Sequence, residues 1–414
     1  MTATLDAQVC IVGGGPAGLT LGVELARRNV SVIVVEQSAR FDRSFRGESV
    51  SPDSVWLLDE LGLLDRLEGQ YLQMQHMEIV DAGKRVFRAH FGDFKYPHPY
   101  PIELPQPTLL SALADVGADC PSFTLLHGST ALGLINEGDR VSGIRVRTPD
   151  GEAVVRATLT VAADGRFSKV REMAGLAYTR VPLERDVVWL RLPFPTEWDD
   201  RTYRIRIAGD HHGLFIPTHP DSVRVGFNIP KGGLRELRGL GLPALYERLD
   251  QLAPELSESV RRDVRSWSDT SILDIFTTVV PKWSRPGLLL VGDAAHTLTP
   301  ILGQGVNHAI IDAVTAAPML AEAFSSGASG SALDDVLVRF QASREESVRR
   351  SRKLQLRQER LFAAQGARAV MRRALYRAMS SHPALIQRAL SGAYFQLQTP
   401  GPRKAQKQVA ASHG

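Results

Sequence analysis

Apolar positions recur along this chain in two rhythms, and the changes between them mark out its elements. Val9 to Val12 is an unbroken apolar run, Leu19, Val23, Leu25 and Ala26 then recur at helical spacing, and a second run closes on Glu36. Strand, helix and parallel strand follow from that order. A loop from Ser38 to Ser51 leads into SPDSVWLLDELGLL, again helical. Met74 to Phe94 alternates as short strands, the proline-rich HPYPIELPQP marks a crossing between layers, and Gln106 to Ala118 returns to the helical period. Three β-type runs between Thr130 and Asp164, separated by EGDR and TPDG, predict a meander. Val187 to Asn228 reads as antiparallel strands (VVWLRLPF, RTYRIRIAG, HGLFIP, SVRVGFNIP), and Gly241 to Val264 as helix. LDIFTTVV leads back toward the first layer, LLLV is a buried strand ahead of Gly292 and Asp293, and from Ala332 the chain is helical with a break at Gly366. The pattern predicts an α/β chain: a Rossmann-like domain interleaved with an α+β domain built on a sheet, followed by C-terminal helices.

Composition narrows the class. The 414 residues suffice for about two or three domains. Apolar content of 43% and charged content of 23% are ordinary for a globular protein. The start shows no basic stretch, apolar core and cleavage site, and no apolar run nears the ~20 residues of a spanning helix, so neither a secretory signal nor an integral membrane segment is expected. Cys10 and Cys120 supply neither a disulfide framework nor a metal cluster, and point to a reducing, cytoplasmic setting. The formal charge of +4 gathers near the C-terminus among interspersed acids. It reads as a solvated helix face, with no nucleic-acid partner.

Candidate chemistry begins with GGGPAG. Gly13 permits a tight turn, Gly15 lets a pyrophosphate approach backbone N–H groups ahead of Pro16 and Ala17, and Gly18 lets helix and strand pack closely. Glu36 ends the second strand where an acceptor for a ribose hydroxyl belongs, leaving FAD or NAD open. Arg46, in RGES, suits a cofactor phosphate, whereas Arg40 and Arg43 read as loop solvation. Asp164 and Gly165 form either a cofactor contact or an ordinary Asp-Gly turn, with Ser168 capping a helix that carries Arg171. Farther on, Gly303, Gln304 and Gly305 open a helix carrying Asn307, whose free N–H groups suit an anion or a polarised carbonyl. Asp293 is placed to accept from a sugar or ribitol hydroxyl. Among possible substrate groups, His211 and His212 are candidate bases, of which strand alternation turns at most one toward a pocket. Arg191, Arg204 and Arg206 read as an outer face, and His296 as a packing residue. In the last helices Val370, Ala374, Leu375 and Ala378 form an apolar face opposite Arg368, Arg372 and Arg373, which predicts that the apolar face packs on the core or a second copy.

GGGPAG with Glu36, ADGRFSKVR (Ala163 to Arg171) and GDAAHTLTPILGQGVN (Gly292 to Asn307), in that order, resemble the group A flavoprotein monooxygenases, the p-hydroxybenzoate hydroxylase family. The resemblance covers about the first four-fifths of the chain. It implies FAD as cofactor, with Glu36 on the adenosine ribose, Arg46 and Gln106 along the FAD, and Asp164 and Gly165 touching FAD and NAD(P)H. It further implies Asp293 on the ribitol, Pro300 beside the isoalloxazine, and the backbone of Gly303, Gly305, Val306 and Asn307 at its pyrimidine edge. The implied layout is a FAD-binding domain at 1–72, 99–180 and 271–330, a substrate domain at 73–98 and 181–270, C-terminal helices at 331–400 and a disordered tail at 401–414. The implied reaction is hydroxylation of an aromatic or polyketide-like small molecule, with NADH or NADPH as transient donor and O₂ as co-substrate, through a C4a-hydroperoxyflavin. The chain departs from flavin-dependent halogenases in having Leu214 and Phe215 where they carry a tryptophan pair, and GQYLQMQHM where they carry a lysine. A prenyl-chain reductase is a second enzymatic alternative. A prenyl-protein carrier is a non-enzymatic one, disfavoured because a carrier has no use for Glu36, Asp164 and Asp293. A monomer or homodimer is expected. GxSxG, HExxH and Walker patterns are absent, in keeping with chemistry carried by a cofactor.

Overall fold

The computed structural model describes residues 3–42, 48–209 and 211–399, so the expectations for Arg43, Arg46 and the tail at 401–414 lie outside the described residues. Ala3–Val12 is the centre of the first sheet, flanked in parallel by Gly151–Ala162 and Val32–Val35. Phe123–Leu126 extends the sheet on one side and Leu288–Leu290 on the other, both in parallel. Val9 to Val12 and Val32 to Val35 are buried, as strands covered on both faces must be. The meander forms as read: Thr130–Glu137, Arg140–Thr148 and the first half of Gly151–Ala162 pair antiparallel, while that long strand also runs parallel to Ala3–Val12 from Ala153 to its end. Pro16 begins the first helix, Pro16–Ala26, with its φ already set for the first helical position. That helix packs against Gln304–Ser325 and Gln106–Ala118.

The second sheet has seven strands, in the order Thr270–Leu273, Arg185–Pro193, Ser222–Pro230, His211–Thr218, Thr202–Ala208, His76–Asp81 and Lys84–His90. Only Thr202–Ala208 with His76–Asp81 is parallel, and that pair brings the two separated excursions of the chain together. The edge of Arg185–Pro193 recruits Thr270–Leu273, which carries this sheet slightly past the boundary read at 270. A ribbon of Thr179–Pro182 against Phe276–Val279 joins the two layers. Alternation divides the second sheet's side chains. Val188, Leu190, Phe215, Val225 and Phe227 pack under the helices between 242 and 263. Met77, Ile79, Tyr203, Ile207 and Ile216 face the C-terminal helices.

Those helices, Gly330–Phe362, Gly366–Ser380 and Pro383–Tyr394, sit on the structure with one face reversed from expectation. Arg372 is buried and Val370 and Leu375 are 57% and 41% exposed. The cause is Asp81, itself buried in the second sheet, whose Oδ2 accepts from Arg372 Nη2 at 2.8 Å and Nε at 3.0 Å. Arg372 Nη1 donates to the carbonyls of Leu361, Phe362 and Ala364, each at 3.0 Å, satisfying the end of the long helix. A helix can bury one arginine of its cationic stripe when the partner carboxylate and the orphan carbonyls are both supplied.

Candidate active site

The glycine turn is set by contact. Gly13 has φ +110°, and a Cβ on it would strike the Ala163 carbonyl; one on Gly18 would strike the carbonyl of Gly13. Gly15 has open space where its Cβ would stand, and lines a cleft with Gly14, Glu36, Ser38 and Gln106. Glu36 is fixed at that cleft by the Gly14 and Ser38 N–H groups, each donating to its carboxylate at 2.7 Å. Leu19 returns the first helical bond to Gly15, so the N–H groups of Ala17 and Gly18 have no helical partner. An anionic diphosphate with a ribose fits these residues.

The three motifs, far apart in sequence, meet. Gly13 abuts Ala163, and a Cβ on Gly292 (φ +58°) would stand 3.1 Å from the Cβ of Ala17. Asp164 is committed to its own turn. Its Oδ1 accepts from Ser168 Oγ at 2.5 Å and its Oδ2 from the Val170 N–H at 3.0 Å, while Ser168 Oγ caps Arg171 N–H at 2.9 Å. The Asp164 carboxylate is therefore engaged within its own turn. Arg171, buried, reaches across to donate to the Ala294 carbonyl at 2.8 Å, tying the second motif to the third. Sequence reasoning placed Arg171 on its helix without seeing this role.

Gly303 has φ +60°, and a Cβ on it would stand 3.1 Å from that of Ser49. It caps Gln304–Ser325, whose first N–H groups, on Gln304, Gly305 and Val306, lack helical acceptors. The Asp293 carboxylate borders the same turn, its Oδ1 3.9 Å from where a Gly305 Cβ would be. Asn307 uses its side chain as a clamp: Oδ1 accepts from Ser51 N–H at 2.8 Å, and Nδ2 donates to Gly303 O at 2.7 Å and Ser49 O at 3.2 Å. Leu302, just before, holds φ +65°, strain of about 1–2 kcal/mol for a residue with a Cβ. Such strain gathers where surroundings over-determine a loop.

The surroundings here come from the long C-terminal helix. Gln355 Oε1 accepts from Thr299 N–H at 3.1 Å, and its Nε2 donates to Thr299 O and Ile301 O at 3.0 and 2.8 Å, holding both neighbours of Pro300. Arg344 Nε donates to Asp312 Oδ1 at 2.8 Å, and Asp312 Oδ2 takes His296 Nε2 at 2.6 Å and the Gly292 N–H at 2.8 Å. Burial would push Asp312 up, but His296, Arg344 and the Gly292 N–H outweigh it and hold the carboxyl below the usual range. Arg344 Nη2 also lies 2.9 Å from His308 Nδ1. A guanidinium only donates, so Nδ1 accepts and Nε2–H donates to Ser351 Oγ at 2.8 Å. Burial, with Arg344 and His296 beside it, pushes His308 down to about 3. His296 also packs on Trp283, with ring centroids 4.9 Å apart.

Leu302, Trp189, Ile205, Leu214 and Leu354 are each partly buried against the apolar cluster between the second sheet and the C-terminal helices. His212 shares that face with Leu214 and Ile216, its ring 5.5 Å from Phe362. His211 is corrected as a base candidate, because the two-residue period turns it to the other face with Phe215. Arg204 and Arg206 also lie on the other face, 4.7 and 5.0 Å from the Trp198 ring. Arg191 lies on the covered face and pairs with buried Glu48 at 3.5 Å. There Arg224 bridges Glu48 and Glu103, at 3.1 and 2.6 Å, and Tyr203 donates to Glu103 at 2.7 Å. Among the described residues no three His, Cys, Asp or Glu side chains converge as a metal site, and no helix is long and apolar enough to cross a membrane.

The glycine cleft with Glu36, the Asp293 turn and the helix capped by Gly303 are parts found in an FAD-dependent monooxygenase that draws on NAD(P)H and O₂. The chain belongs to the FAD binding domain family, which it matches over residues 6–352. It is 37% identical over 366 residues to a 6-methylpretetramide 4-monooxygenase of Streptomyces rimosus, covering 87% of this chain and 85% of that one. A protoasukamycin 4-monooxygenase of Streptomyces nodosus subsp. asukaensis is 27% identical over 333 residues, 78% of this chain and 81% of that one. The crystal structure of p-nitrophenol 4-monooxygenase from Pseudomonas putida shares the fold, with a TM-score of 0.78 at 19% identity, over 94% of this chain and 97% of that one. Halogenation, prenyl-chain reduction and prenyl-protein carriage are not favoured beside these relatives.

Proposed function

We propose that this monooxygenase hydroxylates a fused phenolic ring system of polyketide type, held between the Leu302 loop and the covered face of the second sheet. The observation that carries the reading is Trp189, whose indole lies on the backbone of Gly226, 2.8 Å from where a Cβ would stand. That pairing gives the covered face a flat aromatic plate. The relative that acts on 6-methylpretetramide supports the same substrate class. Gly13, Gly15, Pro16, Ala17, Gly18, Glu36 and Gln106 would hold the ADP half of FAD, Asp293 its ribitol, and Pro300 with the backbone of Gly303, Gly305, Val306 and Asn307 the ring end. Bound FAD, reduced by NADH or NADPH, supplies the oxygen-transferring chemistry. The protein's part is to fix that ring end through Gln355 and Asn307, to exclude water with the Phe362 and Tyr394 helices, and to hold the substrate against Trp189. The working form is taken to be a cytoplasmic monomer or homodimer acting on a small molecule without nucleic acid.

Incubation of the FAD-loaded enzyme with 6-methylpretetramide, NADH or NADPH and ¹⁸O₂ tests the proposal by mass spectrometry. One labelled oxygen in the product is expected. Consumption of NAD(P)H with no labelled product across fused phenols, or halogen incorporation in its place, would sink it.

A further inference from the structure

The long helix Gly330–Phe362 presents one stripe to the active site: Arg344, Ser351, Gln355 and Phe362, spaced by sevens and fours. Gln355 grips the loop on one wall of the substrate region, and Phe362 rides His212 on the other. Glu359 falls between them on the same stripe, four residues after Gln355 and three before Phe362, and is half-buried. At 1.5 Å of rise per residue it stands about 6 Å beyond Gln355 along the helix. We propose that Glu359 is the carboxylate that accepts the phenolic proton of the substrate. The phenol O–H bond breaks, the proton passes to a Glu359 carboxylate oxygen, and the electron pair stays on the phenolate, enriching the ring carbons to be hydroxylated. This deepens the monooxygenase reading and rests on its phenolic substrate.

The chemistry of the neighbours favours Glu359 over His212. Burial, with Arg185, Arg372 and His211, pushes His212 down to about 3, which leaves it neutral and a weak base. Its Nδ1 is enclosed without a hydrogen-bond partner. The charged groups acting on Glu359 are Glu184 and Arg185, where the second-sheet strand begins, and Lys231, which ends the hairpin from Ser222. Burial and Glu184 push Glu359 up to about 7 against the pull of Arg185 and Lys231. A base works best when it titrates near the operating pH.

Equilibrium dialysis of the FAD-loaded protein with 2-naphthol and 2-methoxynaphthalene isolates the hydroxyl without turnover, because phenols ionise only near about pH 10. At pH 8 the wild type should bind 2-naphthol about tenfold more tightly than the methyl ether, as a hydrogen bond to a charged acceptor does. The preference should shrink as pH falls through about 7, and Glu359→Gln should lack it at every pH. Equal binding of both probes by the wild type, or a Glu359→Gln protein that keeps the preference and its pH dependence, overturns the proposal. The wild-type profile decides even where the variant does not fold. A wild-type protein that takes up no FAD instead sinks the monooxygenase reading, and the probe ratio is still measured.

Discussion

Arg372 and Asp81 stand 291 residues apart in sequence and 2.8 Å apart in space, both out of reach of water. The pair fastens the Gly366–Ser380 helix to the hairpin His76–His90, and so closes the lid of aromatic side chains over the second sheet. Removing the Arg372 cation leaves the buried carboxylate with only the longer contact to Arg373 Nη1, at 3.5 Å. Arg372→Leu should therefore cost about 3–5 kcal/mol in chemical denaturation. The double variant Asp81→Leu/Arg372→Leu should recover part of the loss, but not all, since three carbonyls at the end of the long helix keep no donor. A single variant as stable as wild type would show that the pair holds nothing.

His308 gives a pH signature. Its folded value is pushed down to about 3 while an unfolded histidine titrates near about 6.5, so unfolding takes up a proton throughout that window. The stability it contributes is complete above pH 6.5 and is lost as pH falls toward 3. The advantage of wild type over His308→Gln should accordingly shrink by about 1 kcal/mol between pH 7.5 and 5.5. The difference between the two proteins is the quantity to measure by urea unfolding. Asp53 and Glu359, raised by burial to about 6 and 7, bind protons on folding and offset the histidines in either protein taken singly. A gap that does not change with pH would mean that His308 titrates alike in the folded and unfolded states.

Asp293 borders the Gly305 turn where the ribitol of FAD is expected. Asp293→Ala should weaken FAD binding by about 0.5–1.5 kcal/mol, roughly two- to tenfold. Titration of the FAD-free protein followed by flavin fluorescence reads this directly. An unchanged dissociation constant would assign the carboxylate to the turn alone.

Much of the cofactor region was legible because its demands are local. Gly18 answers to the Gly13 carbonyl within one strand-turn-helix unit, Gly13 carries the positive φ of the turn itself, and Ser168 caps the helix that its position announced. The two-residue period that sets His211 and His212 on opposite faces of the sheet is local too. Which of them lies under the C-terminal helices depends on the packing of the whole sheet, a fact no strand contains. Arg372 shows the same limit more sharply. A helical wheel marks three arginines as the wet face, and only Asp81, supplied from another excursion of the chain, makes one of them, Arg372, a buried residue. Gln355 carries no signal at all in the sequence, since an uncharged amide in a long charged helix reads as surface until its partners at Thr299 and Ile301 are known.

Gln355 and Arg344 also set an order of events. The turn at Gly292 is braced by Asp312, 20 residues later, which Arg344 holds from 32 residues further on, the loop around Pro300 is braced by Gln355, 56 residues after Thr299, and Asp53 receives the N–H groups of Gln396 and Leu397 near the end of the described chain. A ribosome delivers the glycine turn first and those braces last. The ring end of the cofactor site is thus finished only when nearly all of the chain has been released, so tight flavin capture follows synthesis, and chains cut short before the long helix lack the means to keep it.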